Sequence, residues 1–109
     1  MEKTLCGASR YQQSYYFNPE FDKLPESVKA DLKRICVGFV EDAGGIFTIE
    51  FGEDGAPRFT VRSAEGDPGF DEIGAELCIR KLRKTEAELL RQLEVFYRIF
   101  IMGAFDEKS

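Results

Sequence analysis

Hydrophobic residues recur along residues 25–43 at the spacing of an α-helix. The recurring positions are Val28, Leu32, Ile35 and Phe39. Their intervals of four, three and four residues gather them into one stripe about 60° wide, at about 100° per residue. Pro25 suits the first turn of a helix, because the N–H that it lacks would have no partner there, and Gly44 follows the last turn. The pattern predicts an amphipathic helix over 25–43 with one face in the core.

Residues 46–62 alternate between apolar and polar side chains on both sides of a turn-forming segment, 52–57. This alternation predicts an antiparallel β-hairpin with one apolar and one polar face. The apolar face comprises Phe47, Ile49, Phe51, Phe59 and Val61. Because a two-stranded sheet is marginally stable by itself, we expect a helix to cover that face. A third strand would come from around residues 3–6, from around residues 77–79 or from another chain.

Residues 75–102 carry a second helical pattern, longer than the first. Its stripe comprises Leu82, Leu89, Leu93, Phe96 and Phe100. Residues 80–88 contain no Gly or Pro, so we expect one long C-terminal helix of about 42 Å, at about 1.5 Å per residue. The alternative is a break into 75–84 and 86–102, because Thr85 and Glu88 form a capping-box pattern and Glu86 falls inside the stripe.

The last three turns of this helix are apolar around their whole circumference. The residues concerned are Val95, Phe96, Tyr97, Ile99, Phe100 and Ile101. Such a helix must be buried on more than one side, either beneath the N-terminal segment 1–24 or against a second subunit. A helix of this length also exceeds the diameter of a compact domain of 109 residues. We therefore expect a homodimer with these six residues as the candidate interface.

Aromatic residues are concentrated in segment 1–24, where the pattern does not define secondary structure. The favoured interpretation is that they cover a small core, because aromatic side chains contribute much of the buried area of a domain. The alternative is a ligand pocket between this segment and the sheet, with Tyr11, Tyr15 and Tyr16 as its wall. Carboxylates such as those of Glu41 or Asp42 would then supply acid–base chemistry without histidine.

The length and composition indicate a single globular domain, 1–109, of the α+β class. The chain contains no histidine, which excludes imidazole-dependent triads, histidine-ligated zinc and an imidazole pH switch. Cys6, Cys36 and Cys78 form no CxxC pair, and we interpret them as free thiols. No segment has the pattern of a secretory signal or a membrane span, so we expect a cytoplasmic protein.

One acidic loop raises the question of a divalent cation. Asp67, Asp71 and Glu72 supply oxygen ligands, but their spacing is not that of an EF-hand, so an ordinary solvated loop is favoured. Glycine-rich phosphate-binding motifs are also absent from the sequence. We therefore assign no catalytic, metal or cofactor-binding residue, and we expect a non-enzymatic protein without a cofactor.

Charge is distributed unevenly along the chain. The net charge is −5, and segments 41–54 and 65–76 carry acidic charges alone. A run of bases follows, formed by Arg80, Lys81, Arg83 and Lys84. An acidic chain without a nucleic-acid-binding motif argues against DNA or RNA as a partner. The bases instead favour a solvated helix face or an acidic protein partner, and self-association or charge balance within the chain is preferred to nucleic acid.

Four stretches of the sequence together resemble a known family. They are residues 24–28 (LPESV), 40–47 (VEDAGGIF), 70–74 (FDEIG) and 96–100 (FYRIF). The family consists of short bacterial proteins classed as a domain of unknown function. The resemblance spans nearly the whole chain and implies a bacterial, cytoplasmic origin, but it identifies no functional residue.

Two functions are compatible with these patterns. The favoured one is a non-enzymatic interaction or regulatory module that self-associates through its C-terminal helix. The alternative is a small-ligand-binding protein or minor enzyme, with its pocket between segment 1–24 and the sheet.

Overall fold

The computed structural model describes residues 3–103, which form three α-helices and one four-stranded antiparallel sheet. The strands are β1 (Lys3–Ser9), β2 (Ser14–Phe17), β3 (Ile46–Phe51) and β4 (Pro57–Arg62). The helices are α1 (Glu26–Ala43), α2 (Glu72–Thr85) and α3 (Ala87–Phe100), and a 3₁₀ helix covers Pro19–Phe21. The predicted α+β class is confirmed. Over the described range, no helix has both the length and the apolar character required to cross a membrane.

The sheet has the strand order β2-β1-β3-β4. The hairpin predicted over 46–62 is present, with Phe47 opposite Val61 and Ile49 opposite Phe59. Of the three predicted sources of a third strand, the N-terminal segment is the one used, because β1 pairs with β3. β2 then adds a fourth strand beside β1. Residues 77–79 lie within α2 and contribute no strand.

α1 packs across one face of the sheet. The predicted helix 25–43 is observed from Glu26, with Pro25 immediately before it. Three of its stripe residues, Leu32, Ile35 and Phe39, are buried. The ring of Phe39 stacks on that of Phe47 in β3, with 4.2 Å between the ring centroids. The apolar stripe therefore meets the apolar sheet face as the sequence predicts.

Aromatic side chains join the N-terminal segment to the end of α3. Phe21 is fully buried, and its ring centroid lies 5.3 Å from that of Phe51 and 6.4 Å from that of Tyr97. The rings of Phe51 and Tyr97 are themselves 4.4 Å apart. Phe21 of segment 1–24 therefore covers part of the core, as the favoured interpretation of the aromatic residues expects.

The C-terminal helical segment is present, but it is divided at Glu86, which corrects the expectation of one uninterrupted helix. Glu86 leaves the helical conformation (φ −109°, ψ 24°), and α2 and α3 have 14 residues each. The Glu86 carboxylate lies 3.7 Å from the guanidinium of Arg34 on α1, which holds this acidic residue against α1. The break near Thr85 is therefore the correct alternative. The predicted capping box does not form, because Glu86 is the N-cap of α3 and makes no side-chain capping bond.

Candidate functional site

A cleft of about 520 Å³ lies between α1 and the β1–β2 hairpin, and we call it the α1 cleft. Its apolar floor is formed by Ala8, Tyr15, Val37 and Val40. Its charged rim is formed by Arg10, Lys33 and Glu41, with Ser9, Gln13 and Ser14 as neutral polar neighbours. An apolar floor with a few polar groups around it is typical of small-molecule binding sites.

The rim of the α1 cleft carries charges of both signs. Arg10, Lys33 and Glu41 are exposed, and none of them forms an ion pair within residues 3–103. The main-chain N–H of Arg10 donates to the carbonyl of Gly45 at 2.9 Å, which places Arg10 near the C-terminal end of α1. Glu41 lies at the same end of this helix. Lys33 lies eight positions before Glu41 on α1, which separates these two residues by about 12 Å along the helix axis, at about 1.5 Å per residue. The two ends of the cleft therefore differ in charge.

Below the cleft, the Tyr15 side chain reaches two cysteine thiols in the core. Its hydroxyl is buried and has no hydrogen-bond partner in the described part of the chain. The Sγ atoms of Cys6 and Cys36 are 3.7 Å apart. Burial raises the pKa of Tyr15 far above its ordinary value, and the two thiols raise it further. The hydrogen bond with Cys6, together with burial, raises the pKa of Cys36. Tyr15 and Cys36 are therefore protonated at neutral pH, and Cys36 supplies no thiolate nucleophile.

Tyr11 lies outside the α1 cleft. Its hydroxyl donates to Oδ2 of Asp67 at 2.5 Å and accepts the main-chain N–H of Ala64 at 2.8 Å. The bond to Asp67 raises the pKa of Tyr11 and lowers the pKa of Asp67. Tyr11 thus ties the turn after β1 to the acidic loop before α2, and this contact is structural.

Two carboxylates of that loop, those of Asp67 and Asp71, are engaged by the chain itself. Asp67 also accepts the N–H of Gly69 at 2.8 Å, and Asp71 caps α2 by accepting the N–H of Gly74 at 2.8 Å. Between Lys3 and Gly103, no cluster of three or more cysteine or acidic side chains is placed to hold a metal ion. Asp67 therefore stabilises a turn, and Asp71 caps α2.

The three tyrosines of the predicted ligand wall are in different places. Tyr15 lines the α1 cleft with Glu41, whereas Tyr16 points to the opposite face of β2 and is 54% exposed. Asp42 does not line the cleft. The cleft lies against α1 rather than between segment 1–24 and the sheet, so the structure brings together one tyrosine and one carboxylate of the predicted set.

Other cleft residues were not selected from the sequence. Lys33, Val37 and Val40 share one side of α1 with Glu41 by their helical spacing, and that spacing is the signal that could have grouped them. Arg10 and Gln13 lie in the turn between β1 and β2. Their place at the cleft follows from a hairpin that the sequence pattern did not reveal.

The predicted interface at the end of α3 is partly used within one chain. Tyr97 is buried, and Phe96, Ile99 and Ile101 are half-buried. Phe96 contacts the N-terminal segment through Phe21, at 6.4 Å between ring centroids. Val95 and Phe100 remain 44% and 57% exposed. The sequence predicts burial of the end of α3 either beneath segment 1–24 or against a second subunit. Packing against segment 1–24 is observed on one side of the helix.

α2 presents a second exposed surface, opposite its buried residue Ala75. Ile73 and Leu77 are 75% and 59% exposed, and Arg80 and Lys84 continue the same side of the helix. We call Ile73, Leu77, Arg80 and Lys84 the α2 stripe. The stripe is apolar in its N-terminal half and basic in its C-terminal half.

The charged groups around the α2 stripe also form no ion pair with the part of the chain that the structure describes. Glu72 and Glu76 flank its apolar half, and Lys81 lies beside its basic half. None of these charges, nor those of the stripe, forms an ion pair among the described residues. Arg83 differs, because its guanidinium lies 5.1 Å from the centroid of the Phe59 ring on β4. Three of the four predicted partner-facing bases therefore point outward.

Comparison with known proteins yields one match. Neither the curated proteins nor the solved structures include one that matches this chain. A family model described as a family of unknown function (DUF6145) matches residues 2–105, and so covers all four stretches on which the resemblance rests. The chain therefore belongs to DUF6145, a family of unknown function.

Proposed function

We propose that this protein is a non-enzymatic, cytoplasmic interaction module that self-associates through its C-terminal helical segment. The observation that carries the proposal is the α2 stripe, whose apolar residues Ile73 and Leu77 are 75% and 59% exposed. Apolar side chains of this size at helical spacing are typical of a surface that packs against another helix. The three free cysteines Cys6, Cys36 and Cys78 are typical of a reducing compartment.

The partner of the α2 stripe is a second copy of the same chain, because the stripe is complementary to itself. Two α2 helices packed antiparallel, with a two-fold axis between Leu77 and Arg80, place the apolar half of each opposite the basic half of the other. Ile73 then faces Lys84 of the second copy, and Leu77 faces Arg80 of the second copy. The aliphatic stems of these basic residues cover the apolar side chains.

The carboxylates complete this complementarity. Glu72 and Glu76 lie beside the apolar half, so the antiparallel arrangement brings them close to the basic half of the second copy. Charges that lack partners in one chain thereby acquire them across the two-fold axis. A parallel arrangement would instead bring like charges together. The antiparallel pair is therefore favoured on electrostatic grounds.

A charge-reversal experiment tests this arrangement. We expect Arg80→Glu/Lys84→Glu and Glu72→Lys/Glu76→Lys each to be monomeric in sedimentation equilibrium at concentrations where the wild type dimerises. An equimolar mixture of the two variants restores opposite charges at both ends of the interface, so the mixture forms a heterodimer. Because restoration requires both variants to be folded, this result cannot arise from loss of structure.

The matched control is Val95→Ser/Phe100→Ser, which changes the exposed apolar residues of α3 and leaves α2 intact. We expect this variant to remain dimeric. A wild type that is monomeric over roughly three decades of concentration would overturn the proposal. A dimer that is lost in the α3 variant but retained in both charge-reversed variants would overturn the α2 interface. The wild-type dimer should also weaken as salt is added, since the pairs at its rim are solvent-exposed.

A further inference from the structure

We propose that the α1 cleft binds a short peptide of two or three residues, held by its charged termini and its apolar side chains. This site is separate from the α2 stripe and does not depend on self-association. The cleft combines a volume of about 520 Å³, an apolar floor and charges of both signs that form no ion pair within residues 3–103.

The charges of the rim indicate a zwitterion. Lys33 at one end is suited to a carboxylate, and Glu41 at the other end is suited to an ammonium group. Arg10, at the Glu41 end, can donate to a peptide carbonyl. A ligand with a single negative charge would leave Glu41 without a partner. The cleft therefore favours a molecule that carries both charges.

The separation of these charges indicates a peptide rather than a free amino acid. Lys33 and Glu41 are about 12 Å apart along α1, at about 1.5 Å per residue, and their side chains shorten the gap that a ligand must span. An extended peptide spans about 3.3–3.6 Å per residue, so two or three residues reach between the two side chains. In one amino acid, the ammonium and carboxylate groups are too close together to contact both ends.

The remaining surfaces of the cleft match the rest of a peptide. Ala8, Val37 and Val40 provide an apolar floor for side chains such as those of leucine or phenylalanine. Ser14 and Tyr15 belong to β2, an edge strand of the described sheet whose outer main-chain groups face no other strand. Such an edge offers hydrogen bonds to a peptide main chain. The hydroxyl of Tyr15 is buried in the core, so we assign it no ligand contact.

Titration of the isotope-labelled full chain with leucyl-leucine, followed by NMR, tests this site. We expect amide shifts at residues lining the cleft, including Val37 and Ser14, and unchanged shifts on α2. The N-acetylated peptide lacks the ammonium group and should bind about tenfold more weakly, as expected for the loss of one charge-assisted hydrogen bond. The C-amidated peptide should weaken similarly, because it lacks the carboxylate that meets Lys33.

Variants assign each terminus to its residue. Glu41→Gln should abolish the preference for the free N-terminus over the acetylated one, and Lys33→Gln should abolish the preference for the free C-terminus over the amide. Lys23→Gln, an exposed lysine that does not line the cleft, is the matched control and should bind as the wild type does. The proposal would be overturned if millimolar peptide caused no change in the amide chemical shifts of the cleft residues. Equal binding of free and acetylated peptides to the wild type would overturn it too.

Discussion

The Sγ atom of Cys6 on β1 lies 3.7 Å from the Sγ atom of Cys36 on α1. Both residues are fully buried, at the point where the central part of the sheet meets its covering helix. The contact therefore joins two layers of the core through a pair of buried thiols. Cys78 on α2 is separate from this pair and half-buried. The three cysteines consequently divide into one accessible thiol and two inaccessible ones.

We expect one cysteine to react with Ellman's reagent in the native protein. Cys78 should react first, and Cys6 and Cys36 should react when the chain unfolds. Burial raises the pKa of Cys78, and nearby Asp42 raises it further. Its reaction rate should therefore keep rising at pH values above about 8.5, the ordinary thiol pKa. Cys78→Ser should remove the fast phase, and a fast phase that persists in this variant would contradict the burial of the other two thiols.

Replacing Tyr15 with Phe should not destabilise the protein and should stabilise it by up to about 1 kcal/mol, because the buried hydroxyl has no hydrogen bond within residues 3–103 to lose. Chemical unfolding of the purified variant measures the change. Tyr16→Phe is the control, because the Tyr16 side chain is on the other face of the same strand and exposed. A clear loss of stability for Tyr15→Phe alone would mean that the hydroxyl does bond to a core group.

Asp67 should contribute to the pH dependence of stability. The hydrogen bond from Tyr11, with a second from the Gly69 N–H, lowers the Asp67 pKa in the folded state. A lowered pKa gives stability that is present above the unfolded value of about 3.9 and is lost as the pH falls through the folded value. Asp67→Asn should therefore be less stable than the wild type at pH 7, and the difference should shrink in acid.

Urea unfolding at several pH values between neutral and acidic measures this effect. Glu65→Gln is the matched control, because Glu65 is an exposed carboxylate in the same loop with no hydrogen bond or ion pair within residues 3–103. A stability difference for Asp67→Asn that stays constant across this pH range would contradict the assigned pKa shift.

Two glycine-to-alanine substitutions should have opposite effects on stability. A Cβ at Gly7 on β1 would lie 2.7 Å from Cγ2 of Thr48 and 2.9 Å from the carbonyl oxygen of Phe47. Gly7→Ala should therefore destabilise the sheet. Apart from the adjacent backbone of α1, a Cβ at Gly38 would have no atom of residues 3–103 within 4 Å, so Gly38→Ala should stabilise by about 0.5–1 kcal/mol through helix propensity. Thermal unfolding of both variants compares them directly, and equal effects would contradict the close approach at Gly7.

The sequence predicts those elements whose own pattern is strong. α1 and the β3–β4 hairpin follow from regular apolar spacing that coincides with burial. The β1–β2 hairpin was not predicted, because β2 has four residues and its turn uses Gln13 at φ 50° instead of a glycine. The division of the C-terminal helix was visible in the sequence only as an alternative, through the pattern at Thr85 and Glu88 and the place of Glu86 in the stripe. The contact of Glu86 with Arg34, more than fifty positions earlier, could not be inferred from local propensity.

The candidate sites were predictable to a smaller extent. Tyr15 and Glu41 were grouped from chemistry alone, and the structure places both at the α1 cleft. Tyr11 and Tyr16 were grouped with them because neighbouring tyrosines look equivalent in a sequence. Strand alternation separates Tyr15 from Tyr16, and a hydrogen bond to Asp67 engages Tyr11. The α2 stripe is visible as helical spacing, but its exposure depends on which side of α2 meets α1.

The strand order determines when the sheet can be completed during synthesis of the chain. β1 is an inner strand, but its neighbour β3 follows it only after β2 and the whole of α1. A nascent chain therefore carries a marginally stable hairpin, with the β1 edge still unpaired, until β3 has left the ribosome. Tyr97 is made later still, so Phe21 and Phe51 stay uncovered until α3 arrives. A ribosome that stalls within α2 would thus expose these two rings to chaperones and proteases.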